Sequence, residues 1–269
     1  MQTPDNTSGA DPDRAPHNTN GADPIRPSRR KVLVEALVMF AVATAICAAL
    51  WQLRRVSGFV NDNLQAFIAA VFLYLPTGLL MRRREDFDAY GLTHRPLWRG
   101  VLLYLVVSVV VFPLFALGFL LFYGQVCGAA SRGVALPRQL MLLCRRYTGL
   151  ARARLRLPPK FGQVAAAQLL VVALPEEYFF RGYLQTRLEQ VWPPRRRLLG
   201  AHVGWALLGA SVLFALGHLL VDFNGLRLAV FFPALVFGWM RRSSGSILAS
   251  VLFHASSNIV SELLHTSFF

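Results

Sequence analysis

At 269 residues, 55% hydrophobic and 16% charged, with a mean hydropathy of +0.44, the chain is too apolar for an ordinary water-soluble globule. Such a globule carries roughly 45–50% apolar and about 25% charged residues. The net charge of +14 falls in short arginine clusters between apolar runs, as membrane topology distributes it, and not along one amphipathic face. A lipid bilayer is therefore the expected partner, and nucleic acid is not.

Residues 1–28 are rich in Asp, Asn, Pro, Gly and Thr and contain a near-repeat, Asn6 to Pro12 returning as Asn18 to Pro24. Such a composition cannot offset its ordering entropy and predicts a disordered tail. Apolar runs follow at 32–51, 64–81, 100–123, 161–180, 198–220, 226–240 and 245–265. The first is as long as a full span, so it reads as a membrane helix and not as a cleaved signal. The runs are continuous and not alternating, which predicts helices and not a barrel. The expected fold is all-α, a polytopic transmembrane helix bundle of about seven or eight spans. Its expected parts are the tail (1–28), N-terminal transmembrane helices with a basic interfacial segment (29–159), and a C-terminal transmembrane core (160–269). Within 124–160, the arginines and the short apolar stretch Leu140–Cys144 suggest an interfacial amphipathic helix.

A seven-span count puts Arg29-Arg30-Lys31, Arg82-Arg83-Arg84, Arg195-Arg196-Arg197 and Arg241-Arg242 on one side. The positive-inside rule makes that side cytoplasmic and places the N-terminus there, in a multi-pass protein of the cell membrane, a bacterial inner membrane by the arginine bias. The same count sends the basic 124–160 segment outside, so the two signals conflict. Cys47, Cys127 and Cys144 form no ligand-spaced cluster and read most simply as small buried residues. A Cys127–Cys144 disulfide follows if their segment faces an oxidising compartment.

Ionisable groups inside apolar helices are costly, and they mark where chemistry is to be sought. Glu35, a turn from a basic cluster, is expected to snorkel to the interface. Glu176 and Glu177 close an apolar run; Glu177 and Arg181 are spaced i, i+4 and can pair, which turns Glu176 about 100° away without an in-helix partner. A carboxylate so placed suits general-base work on water, although a solvated salt bridge at a helix end would leave the same pattern. His218 stands four residues after Phe214, and His254 four before Asn258. Each pair alone is compatible with capping or helix-packing hydrogen bonds. Together, a Glu with a His can bind and deprotonate water, and a His with an Asn can supply donors to an oxyanion.

The ordered motifs EExxxR (Glu176-Glu177 to Arg181), FxxxH (Phe214 to His218) and HxxxN (His254 to Asn258) resemble those of the CPBP intramembrane proteases, the CAAX-processing and bacteriocin-processing group also called Abi. The context Arg181-Gly182-Tyr183-Leu184-Gln185 and Ser244-Gly245-Ser246 fits, and the resemblance covers about 160–265. It implies that Glu176 and His218 activate water, that His254 and Asn258 form the oxyanion hole, and that Glu177, Arg181 and Phe214 support them. The substrate so implied is a membrane-anchored protein or peptide; the first motif is also similar to that of proteases that sort proteins by their C-terminal membrane anchors.

No cofactor is expected. Zinc is the alternative, since His₂Glu is a known catalytic set, but there is no HExxH and Asn258 suits an oxyanion hole better than a metal. The competing reading is a non-enzymatic membrane binding or immunity protein, or a transporter, that uses the same polar residues. No convincing pair of internal repeats favours transport.

Overall fold

The computed structural model describes residues 28–93, 97–150 and 154–269. The expected tail lies outside the described residues except for Ser28, whose hydroxyl caps the first helix by accepting from Lys31 N at 3.4 Å. Helices α1 (Arg29–Leu53), α2 (Gly58–Arg83) and α3 (Leu97–Ser131) are followed by the short α4 (Arg138–Cys144). Residues 161–191 form one helical rod made of α5 (Phe161–Ala167), α6 (Leu174–Glu177) and α7 (Gln185–Val191), joined by π-helical segments Gln168–Ala173 and Tyr178–Leu184. Strands β1 (Arg196–Leu198) and β2 (Ala201–Val203) then lead into α8 (Trp205–Asp222), α9 (Phe231–Ser244) and α10 (Leu248–Phe268).

The all-α membrane bundle is therefore observed, with differences from the sequence expectation. Among the described residues, four helices, α1, α2, α3 and α8, are long and apolar enough to cross a membrane. The other long segments are the ones that carry polar motif residues or, like α9, run for only 14 residues. At 35 residues α3 runs well past the expected limit of 123; at 1.5 Å per residue it is about 50 Å long, more than the hydrocarbon core requires. Within the 124–160 segment, where an interfacial helix was expected, the end of α3 is followed by the short helix Arg138–Cys144. The run expected at 198–220 becomes helical only at Trp205, because a hairpin with Arg196 opposite Val203 precedes it.

The core forms where α1, α2, the 161–191 rod and α8 meet, around Phe40, Leu80, Phe179, Phe180, Leu184 and Phe214. Helix α3 stands outside that core and packs on α9 and α10, with Phe112 stacked on Phe253 at 5.1 Å. One end of the bundle is held by charge. Glu35 pairs with Arg83 and with Arg187 (3.4 Å) and accepts from the Tyr183 hydroxyl, so it is held by arginines and does not simply snorkel to water. Arg187 also binds Glu85 at 2.6 Å, and Tyr90 donates to the same carboxylate. Burial pushes Glu85 up, yet Tyr90, Arg187 and Arg83 outweigh it and hold the carboxyl below its ordinary value.

At the other end Cys127 and Cys144 form a disulfide, which for this pair replaces the simpler reading of buried thiols, while Cys47 remains free and buried. The loop after it reaches the C-terminus of α10, where Thr148 N donates to Phe268 O at 2.9 Å.

Candidate active site

The rod at 161–191 positions two adjacent carboxylates at the middle of the bundle. Pro175 has no N–H to donate one turn back, so the regular hydrogen-bond ladder is broken at that point. The helix widens on both sides of Leu174–Glu177 into π segments, a feature common where a helix serves a function. Gly182 lies in the second π segment, and a Cβ there would stand 2.9 Å from Tyr90 O. Only glycine allows the turn that carries Tyr90 to approach this closely.

Glu176 faces two imidazoles. Its Oε2 lies 3.9 Å from His218 Nε2 on α8 and 3.9 Å from His254 Nε2 on α10. That oxygen is buried and, among the described residues, has no hydrogen-bond partner. A water at about 2.8 Å from each of two atoms bridges gaps of this size. The His218 ring is fixed by its other nitrogen: Nδ1 is 2.9 Å from the Phe214 carbonyl and must donate, which leaves Nε2 toward Glu176. Phe214 lies against the same ring at 4.5 Å between centroids.

Glu177 points the other way and is fully buried. Its Oε1 accepts from His254 Nδ1 at 3.0 Å, and its Oε2 lies 3.4 Å from Arg181 Nε, the i, i+4 pair expected from the spacing. The Arg181 guanidinium is seated on the Phe214 ring at 4.4 Å and near Phe237 at 5.3 Å. Phe237 also stacks on His254 at 4.8 Å and 15°. An ion pair sunk this far costs several kcal/mol to desolvate per charge, so its contribution is to fix orientation and not to add net stability. Asn258, one turn beyond His254, donates from Nδ2 to Gln168 Oε1 at 2.8 Å.

Residues 159–260 match the family described as Type II CAAX prenyl endopeptidase Rce1-like. This region is similar to a domain of that family. The match is consistent with the CPBP resemblance of the three motifs and supports intramembrane endopeptidase activity in general, of a family whose substrates are membrane-embedded peptides. Comparison with curated proteins and with solved structures gives no match.

In this CAAX-endopeptidase-like domain, Glu176, His218 and His254 converge on one point, and Glu177, Arg181 and Phe214 surround it. Asn258 lies on the same side of α10 but is directed to Gln168. Sequence reasoning overlooked Gln168 and Phe237. Gln168 could have been found: it is one of two glutamines in the apolar run before Glu176, with Gln163, and it lies eight positions and about two turns ahead of Glu176. Phe237 gives no such signal, since one more Phe in an apolar helix reads as core. Among the described residues, no group of three or more His, Cys, Asp or Glu side chains has the geometry to hold a metal ion.

Proposed function

We propose that the chain is a glutamate-type intramembrane endopeptidase whose catalytic core is 160–269, with the helices of 29–159 enclosing it. Glu176 and His218 hold and activate a water. The water oxygen bonds to the scissile carbonyl carbon as its proton passes to Glu176. The charge that develops on the carbonyl oxygen is met by Asn258, which has a second N–H beyond the one given to Gln168, and by His254 when it carries a proton on Nε2 with Glu177 balancing the charge. The C–N bond then breaks, Glu176 returns its proton to the leaving amine, and the products are a carboxylic acid and an amine.

The observation that carries this reading is the unpartnered, buried Oε2 of Glu176 with two imidazole nitrogens 3.9 Å away. The orientation we propose puts the Arg29, Arg83 and Arg242 end in the cytoplasm, together with the N-terminus. It is supported by the disulfide at the opposite end, since disulfides persist in oxidising compartments. A basic 124–160 segment on the outer side then needs no change in span count.

The test is cleavage of quenched-fluorescent peptides by the protein in nanodiscs, one set ending in a farnesylated cysteine and one in an apolar C-terminal anchor. Glu176→Gln, which keeps shape and hydrogen bonding, is expected to lower kcat by about 10²- to 10⁴-fold with the thermal midpoint unchanged. Cleavage should survive exhaustive chelation. Full activity in Glu176→Gln overturns the glutamate base; loss on chelation, restored by zinc, overturns metal independence.

A further inference from the structure

The hairpin between α7 and α8 has no part in the site, and its sequence is costly for a loop in water. Its turn is Leu199-Gly200, with φ of 46° and 84°. Two-residue turns with both φ values positive favour Asn-Gly, because an aliphatic side chain is disfavoured in the left-handed region. Here the strained position carries a leucine that is 80% exposed, beside Leu198 at 54%. Exposed Trp192 and Trp205 bracket the hairpin.

Arg195, Arg196 and Arg197 are all exposed, and among the described residues none of the three pairs with a carboxylate. The nearby Glu189 is engaged by Arg242 at 3.1 Å. Nor is the hairpin loose. Trp239 Nε1 donates to Leu198 O at 3.1 Å, and Arg242 Nε to His202 O at 3.2 Å, so α9 fixes the direction of the tip.

We propose that this hairpin is a membrane-surface anchor: Leu198 and Leu199 sit just below the lipid headgroups, and Arg195, Arg196 and Arg197 bind anionic phospholipid. The chain runs from the hairpin directly into α8, one of the helices able to span, so the tip is at the level of the membrane surface. Tryptophans that border arginines are the composition found at that level. The open backbone edges of a two-stranded ribbon keep it shallow, since they must reach water or headgroups. Leucine at the tip is thereby buried from water despite the turn it strains.

The experiment uses the full chain in nanodiscs, where both faces are accessible. Leu199→Cys labelled with an environment-sensitive fluorophore should be quenched by brominated lipid and shielded from iodide, with unsubstituted protein correcting for Cys47. A label quenched by iodide and indifferent to brominated lipid overturns insertion. Leu199→Asn, which suits the turn, controls for folding and should keep the thermal midpoint in detergent. Retention of phosphatidylglycerol over phosphatidylcholine is read by native mass spectrometry and should fall about fivefold for each Arg→Gln change among Arg195, Arg196 and Arg197. Insertion with an unchanged lipid preference in the triple variant overturns the anionic-headgroup half of the proposal.

Discussion

Glu177 and His254, 77 residues apart, are joined by a 3.0 Å hydrogen bond that leaves the opposite imidazole nitrogen facing Glu176. The two neighbouring glutamates thus act on one histidine from two sides, one orienting it and the other sharing its polar pocket. Glu177→Ala removes both the His254 acceptor and the partner of the buried Arg181. Loss of one member of a buried pair costs about 3–5 kcal/mol. Thermal unfolding in nanodiscs should show a large fall in midpoint, and Arg181→Ala a similar one. Midpoints unchanged in both variants would mean that the pair does not order the site.

In the proposed mechanism Gln168, which accepts from Asn258 Nδ2 at 2.8 Å, positions Asn258. Gln168→Leu should lower kcat by up to about tenfold, the net worth of one hydrogen bond, with KM little altered. Gln168→Glu, which still accepts from Asn258 Nδ2, should recover most of the loss. A purely packing role would predict the reverse order, since leucine fills the space and a new carboxylate is costly in lipid. The kcat and KM split for the two variants separates the cases.

The polar cluster around Glu176 was legible in the sequence because lipid makes polar residues conspicuous. Glu176, His218 and His254 each interrupt an apolar run, and the structure brings them to one point. Which atom faces which was not legible, since tautomers and π segments are set by contacts across helices. His254 bonds Glu177 and faces Glu176, while Asn258 turns to Gln168. The hairpin was hidden for another reason: Leu198 and Leu199 extend the apolar run of α8, and only their backbone departs from it. Glu35 was read alone because its partners Arg83 and Arg187 lie on distant segments.

Glu85 predicts a pH dependence. Its carboxyl is held low by Tyr90, Arg187 and Arg83 against the effect of burial. A group with a depressed folded pKa stabilises the protein above its unfolded value, and that contribution disappears as pH falls through the folded one. The thermal midpoint should therefore hold steady above the ordinary carboxylate range and fall on acidification below it. Glu85→Gln should have a lower plateau and a shallower acid limb. Parallel curves for the two proteins would remove Glu85 as the source.

The Cys127–Cys144 bond closes a loop with a sequence separation of 17, for which chain entropy gives about 3 kcal/mol. Reduction, or replacement of both cysteines by serine, should lower the thermal midpoint without abolishing cleavage, because the bond lies at the far end from the charged cluster that holds Glu35, Arg83 and Arg187. The same bond reports topology. In intact cells, a reductant that cannot cross the inner membrane should open it if the α3–α4 end faces outward, as the proposed orientation requires. Alkylation of the freed thiols by an impermeant maleimide would then give a mass shift. No shift under these conditions, with a full shift after the membrane is permeabilised, would place that end inside and reverse the orientation.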